Sequence, residues 1–274
     1  MSTRRSPLRL CLSAFCCFTF GFAPQAAAAT NAQDSLQIAP RGQGPEPCSW
    51  DPACSTAGVK VALREKSRFS MGRQKMVEYE LVATGLPTGR LFTLWLFPFG
   101  ERPIPVVGGV TGDSTGRMVC ADSSALASAK RPPSGGRCLM PFPLMMPLES
   151  FVPSEPAKAA LISNDDSVRA YATAFPVPLE AEMGGCRLWL ELLSTDRDRF
   201  RLSGTGFQGG AEAHIVSTSG DEVIDARKPV PADGSFWMLV SPAVKGKRGG
   251  KSSIAVSTPA CTVTLQYRWG RDLK

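Results

Sequence analysis

Residues 79–89 read Tyr-Glu-Leu-Val-Ala-Thr-Gly-Leu-Pro-Thr-Gly, and residues 200–210 read Phe-Arg-Leu-Ser-Gly-Thr-Gly-Phe-Gln-Gly-Gly. At a constant offset of 121, Tyr79 aligns with Phe200, Leu81 with Leu202, Thr84-Gly85 with Thr205-Gly206, Leu86 with Phe207 and Gly89 with Gly210. Each copy carries apolar residues at period two, then a glycine-bracketed turn, then a second alternating run. That pattern is a strand, a turn and a strand, and its recurrence predicts two copies of one β-domain.

The composition agrees. Among 274 residues there are 26 glycines and 23 prolines, and the alternating runs between them are short, as in all-β folds. The chain is long enough for two domains with separate cores. Arg4, Arg5 and Arg9 precede an apolar run from Leu10 to Phe22 and then Ala26-Ala27-Ala28-Ala29, the layout of a cleavable secretory signal. The run is too short to span a bilayer, which takes about 20 residues. The expected mature protein is therefore exported, periplasmic or extracellular, and not membrane-spanning. Without the three signal arginines, the 31 basic residues become 28 against 24 acidic ones. So small an excess gives no expectation of nucleic-acid binding, which needs clustered positive charge.

Export changes how cysteine is read. Beyond the signal remain Cys48, Cys54, Cys120, Cys138, Cys186 and Cys261, an even set suited to disulfides. Sequential pairing is the expectation: Cys48 with Cys54 around Trp50, Cys120 with Cys138 across a Ser/Pro/Gly-rich excursion, and Cys186 with Cys261. Metal binding has little support, since there is no C-x-x-C pair and only one histidine. No cofactor is expected.

Residues 1–29 are thus read as signal and 30–56 as an irregular arm with a small disulfide loop. A first β-sandwich is expected over 57–179, with a Pro/Met-rich insertion at 121–156. A second is expected over 180–274. Seven short strands in each fit an immunoglobulin-like sandwich, and Trp95 is a candidate core tryptophan of the first. Leu139-Met140-Pro141-Phe142-Pro143-Leu144-Met145-Met146-Pro147 is apolar but broken by prolines, so it is expected as a flap over an open end rather than a central strand. Phe142, Met145 and Met146 are its candidate surface contacts. Phe175-Pro176-Val177-Pro178-Leu179 reads as a stiff junction. In the second domain, Cys186 and Cys261 each begin a strand. Antiparallel neighbours of about eight residues would hold those starts roughly 25 Å apart, whereas a disulfide needs Cα atoms within about 7 Å. If the two cysteines pair, the first and last strands run the same way.

Gly204-Thr205-Gly206-Phe207-Gln208-Gly209-Gly210, flanked by strands, resembles the G-x-G-F-x-x-G signature of bacterial immunoglobulin-like domains of the TIG/IPT type. Asp233-Gly234 before a later strand resembles their hairpin, and the first domain matches more loosely through Leu86. The resemblance implies a sandwich used for spacing, adhesion or docking and supplies no catalytic residues.

Four other features bear on chemistry. Gly112-Asp113-Ser114-Thr115-Gly116 has the G-x-S-x-G form of a serine nucleophile, but a strand follows rather than a helix, and His214, the only candidate base, lies in the other domain. A serine hydrolase through Ser114 is therefore the least favoured reading. Asn164-Asp165-Asp166 fits an ordinary turn as well as a calcium site. Lys245, Lys247, Arg248 and Lys251 make a basic loop able to meet an acidic polymer. Trp189 and Trp237 fall on the strand faces opposite Leu188 and Phe236, so they are candidate exposed contacts, suited to sugar stacking or to a protein partner. The expected function is non-enzymatic: a structural or interaction protein binding another protein or a cell-surface component, with glycan binding through the tryptophans as the alternative.

Overall fold

The structure, a computed structural model, describes residues 54–127, 129, 135–138 and 143–274. The expected signal, residues 30–53 of the arm, Cys48 and Phe142 lie outside the described residues.

The fold is nearly all β. In the first sandwich, β1 (Lys60–Met71), β2 (Gln74–Thr84) and β7 (Pro143–Pro147) form one sheet in that order. The facing sheet runs β5 (Met118–Cys120), β4 (Ile104–Gly112), β3 (Phe92–Phe97), β8 (Ala157–Ser163) and β9 (Arg169–Ala174), with β6 (Gly136–Arg137) alongside β4. A short helix, α1 (Ser123–Ala127), follows β5. In the second sandwich one sheet runs β10 (Leu179–Met183), β11 (Cys186–Leu192), β12 (Phe200–Thr205) and β15 (Phe236–Val240). The other runs β14 (Glu222–Pro229), β13 (Glu212–Ser219), β16 (Gly249–Thr258) and β17 (Cys261–Gly270).

Period two fills both cores. In the second, Leu188, Leu190 and Leu192 of β11 meet Phe200 and Leu202 of β12, opposite Val263, Leu265, Tyr267 and Trp269 of β17. The ring of Phe200 packs edge-on against Tyr267 at 5.3 Å between centroids. In the first, Phe92 and Leu94 of β3 meet Leu81 and Ala83 of β2 and Leu161 of β8. Trp95 corrects the sequence expectation. Its neighbour Leu94 takes the inward position, and Trp95 lies half-buried on the sheet's other face beside Phe97, Ala160 and Ile162.

The repeated glycines do the same job twice. Gly85 and Gly206 sit at φ 74° and 77°, a left-handed conformation that a Cβ resists. A Cβ on Gly85 would lie 2.1 Å from the carbonyl oxygen of Gly58, and one on Gly206 would lie 2.1 Å from that of Gly185. The next residue then ties to a distant turn in both: the Leu86 N–H donates to the Gly116 carbonyl at 3.0 Å, and the Phe207 N–H to the Gly234 carbonyl at 3.1 Å.

Cys186 and Cys261 are joined, with 6.4 Å between Cα atoms, and they link opposite sheets. From that bond β11 and β17 run in the same direction, because the far end of β17 meets the turn after β11: the Gly270 N–H donates to the Arg197 carbonyl at 2.6 Å. Cys120 and Cys138 are also joined.

The described part of the proline/methionine segment, residues 143–147, is not a flap. Residues 143–147 are the outer strand of a sheet, pairing with β2 from Met76↔Pro147 to Glu80↔Pro143. The two prolines stand at its ends, where a missing N–H is tolerated on an edge strand. Met145 points outward, 55% exposed, whereas Met146 points inward at 8%. Met146 is therefore core, and its assignment as a surface contact is withdrawn.

The sandwiches are stitched together. The Leu192 N–H donates to the Ser154 carbonyl at 2.9 Å, and the Ser154 N–H donates to the Val177 carbonyl at 2.8 Å. Ser154 is fully buried and left-handed at φ 68°, and Phe99 and Val152 pack on the second core. Glu191, 7% exposed, receives Lys158 of the first sandwich at 3.2 Å and Arg201 of the second at 3.9 Å.

Candidate functional site

The outer face of the β10-β11-β12-β15 sheet gathers the aromatic candidates. Strand register sets Glu180, Trp189, Ser203 and Trp237 side by side in one row across four strands. The indoles are thus anchored two strands apart, about 9.5 Å at the usual strand spacing. Ser203 between them is buried, while Trp237 is 50% exposed and Trp189 half-buried. The rows on either side supply arginines: Glu182, Arg187 and Thr205 on one side, Glu191, Arg201 and Leu239 on the other.

Each indole carries a guanidinium. Arg187 lies 6.0 Å from the Trp189 ring centre, and Arg201 lies 5.5 Å from that of Trp237, both within cation–π range. Arg187 also pairs with Glu180, and Arg201 with the buried Glu191. Leu239, 58% exposed, extends the face at the sheet edge. The result is a surface of aromatic and guanidinium planes, with Glu180 and Glu191 paired to the two arginines.

The basic residues fall differently from the expected loop. Lys245 and Lys247 belong to a turn closed by the Lys247 N–H donating to the Val244 carbonyl at 2.9 Å. Lys251 is in β16, where it pairs directly with Arg268 of β17. Arg268 is a residue that sequence inspection missed, because 17 positions separate it from Lys251 and only the register brings them together.

The catalytic candidates are not brought together. Ser114 is exposed in the β4–β5 turn, where Asp113 accepts from the Thr115 N–H and hydroxyl at 2.7 Å and from the Arg117 N–H at 2.9 Å. Those bonds hold the Asp113 carboxyl below the usual carboxylate range and explain the G-x-S-x-G spacing as turn geometry. His214 lies on the second sandwich, with Nε2 2.8 Å from Asp225. Asp165 accepts from the hydroxyls of Ser163 and Ser167, which lower it to about 2. Asp166 takes the left-handed position of that turn. Among the described residues no group of three or more His, Cys, Asp and Glu is arranged to hold a metal ion, and no helix is long and apolar enough to cross a membrane.

No family model and no curated protein matches the chain. Among the solved structures that align with it, two do so over about three quarters of its length. One is a tetra-tandem repeat from the extending region of a large adhesion protein, at 10% identity and TM-score 0.24, covering 77% of this chain and 49% of that one. The other is the BSP domain of a biofilm-associated protein, at 12% identity and TM-score 0.22, covering 76% and 29%. The chain therefore spans half or less of each of these two structures. At these scores the likeness carries no functional weight, and the site rests on its own geometry.

Proposed function

We propose that the protein is an exported, non-enzymatic docking protein of the adhesion type, which binds another protein or a cell-surface component through the Trp189–Trp237 face. The observation that carries this reading is the Arg187/Trp189 and Arg201/Trp237 stacking on one exposed sheet. Tryptophan and arginine are enriched among the few residues that dominate the energetics of protein interfaces. Two disulfides suit an oxidising compartment. The glycine–phenylalanine turn, with Phe207 packed edge-on against Phe236 at 5.2 Å, supports a TIG-like second sandwich.

Glycan binding is the second reading, favoured by the two-strand spacing of the indoles, which suits alternate sugar rings. The guanidinium over each ring weighs toward a protein, since it occupies a face that a sugar would use. The test compares the mature protein with the Trp189→Ala/Trp237→Ala variant, on a glycan array and against envelope proteins of the producing cell. A protein retained by the wild type alone, with a silent array, is the expected result. An array signal lost in the variant would establish the glycan reading, and retention unchanged by the variant would remove this face from the function.

A further inference from the structure

The outer face of the β14-β13-β16-β17 sheet carries a different chemistry. The segment that supplies β16 and β17 holds Lys245, Lys247, Arg248, Lys251, Arg268, Arg271 and Lys274 against Asp272, and Glu222 of the neighbouring hairpin accepts from the Lys245 N–H at 3.3 Å. Lys251 and Arg268 are exposed and directly opposite each other on neighbouring strands. Like charges so placed repel and cost stability. Other cations relieve this with carboxylates, as in Arg187–Glu180 and Arg227–Glu212. Among the described residues, neither Lys251 nor Arg268 has a carboxylate within 4.0 Å.

The pair borders a shallow groove of about 580 Å³. Two residue pairs further along, and next on the same face, register aligns Thr218, Ser253 and Gln266 across three strands, with the Thr218 and Ser253 hydroxyls 2.7 Å apart. Gly220 also lines the groove, and a Cβ there would come within 3.9 Å of the Lys247 Nζ, which places a third cation at the rim. Two rows thus lie side by side on an open sheet: neutral hydrogen-bonding groups in one, uncompensated cations in the other.

We propose that this face binds an acidic polysaccharide, with Lys251 and Arg268 taking its carboxylate or sulfate groups and Thr218, Ser253 and Gln266 its hydroxyls. A sugar polymer needs both kinds of partner at once, at a spacing a flat sheet provides. Single-stranded nucleic acid needs aromatic platforms between the charges, and a lipid surface needs an apolar belt beneath them. Among the described residues the two rows hold no exposed aromatic side chain, and Val223, exposed opposite Thr218 on the edge strand, is a single apolar residue rather than a belt. The site is separate from the tryptophan face and stands or falls independently of it.

The experiment is titration of the mature protein with alginate oligomers (carboxylate) and with dextran sulfate (sulfate), in parallel with neutral dextran, duplex DNA and phosphatidylglycerol vesicles. Binding to at least one acidic polysaccharide is expected, with none to neutral dextran. The Lys251→Gln/Arg268→Gln variant should weaken it at least tenfold and lower the slope of log affinity against log salt by about two, one for each cation removed. The same variant should melt no lower than wild type, because a repulsion has been relieved. Failure to bind either acidic polymer, affinity untouched by the double variant, or tighter binding to DNA or vesicles would each overturn the assignment.

Discussion

The two sandwiches are built on one plan and finished differently. In sheet order, β4-β3-β8-β9 of the first corresponds to β14-β13-β16-β17 of the second, and β1-β2 corresponds to β11-β12. The plans part after the glycine turn at Gly116 or Gly234. In the second sandwich the next strand, β15, crosses to pair with β12. In the first, β5 stays with β4, and the place beside β2 is filled by β7, after the Cys120–Cys138 excursion. The second sandwich adds β10 and a disulfide between its sheets. The shared part is the turn backbone, where glycine is sterically required. The divergent part is the edge, and in the second sandwich that edge carries Trp237 and Leu239.

The Cys186–Cys261 bond spans 75 positions and the Cys120–Cys138 bond spans 18. Loop entropy assigns about 4 kcal/mol to the first and about 3 kcal/mol to the second. Urea melts of the two cysteine-to-alanine pairs should therefore rank in that order, and the reverse ranking would count against the inter-sheet bond as the main staple. Gly85→Ala and Gly206→Ala should each cost about 3 kcal/mol, from left-handed strain plus the backbone clash. Gly89→Ala and Gly210→Ala, with open space around a Cβ, should cost only about 1 kcal/mol of conformational strain. Unequal costs at Gly85 and Gly206 would show that the two turns are not equivalent.

Glu191→Gln removes the carboxylate shared by Lys158 and Arg201 across the junction and should cost about 2 kcal/mol, discounted from a fully buried pair because both cations are partly exposed. It should also separate the melting of the two sandwiches in calorimetry; a single unshifted transition would remove the triad from the junction. The smallest effect is alkaline. Burial pushes the phenols of Tyr79 and Tyr267, one in each core, up to about 12. The folded state therefore holds these protons more tightly than the unfolded chain, so the contribution is full below pH 10 and lost as pH rises through 12. At pH 11 the loss is about 1 kcal/mol for each phenol, readable as a falling urea midpoint between pH 10 and 12.

Strands whose alternation is backed by burial on one face were legible in the sequence. Phe200–Thr205 is the strand that the 200–210 pattern predicts, and the parallel course of β11 and β17 follows from where their cysteines sit. Edge strands were not legible. Residues 143–147 are flanked by proline and 179–183 carry two glutamates, and a strand bonded on one side tolerates both. Period two placed Trp189 and Trp237 opposite Leu188 and Phe236, but it gave no sign that the two would share a row. Lys158 with Glu191 and Arg201, and Lys251 with Arg268, were invisible for the same reason. Register and domain contact, not local pattern, bring them together.

Leu239 on β15 and Met145 on β7 offer the most direct test, because they are exposed residues on the strands that fill the same place in the two sandwiches. A photo-crosslinking amino acid can be placed at either position in the protein as made by its own cell. A discrete adduct from position 239, abolished by Trp189→Ala/Trp237→Ala and missing from position 145, is the predicted result. An adduct from position 145 with none from 239 would move the docking face to the first sandwich and contradict the central claim.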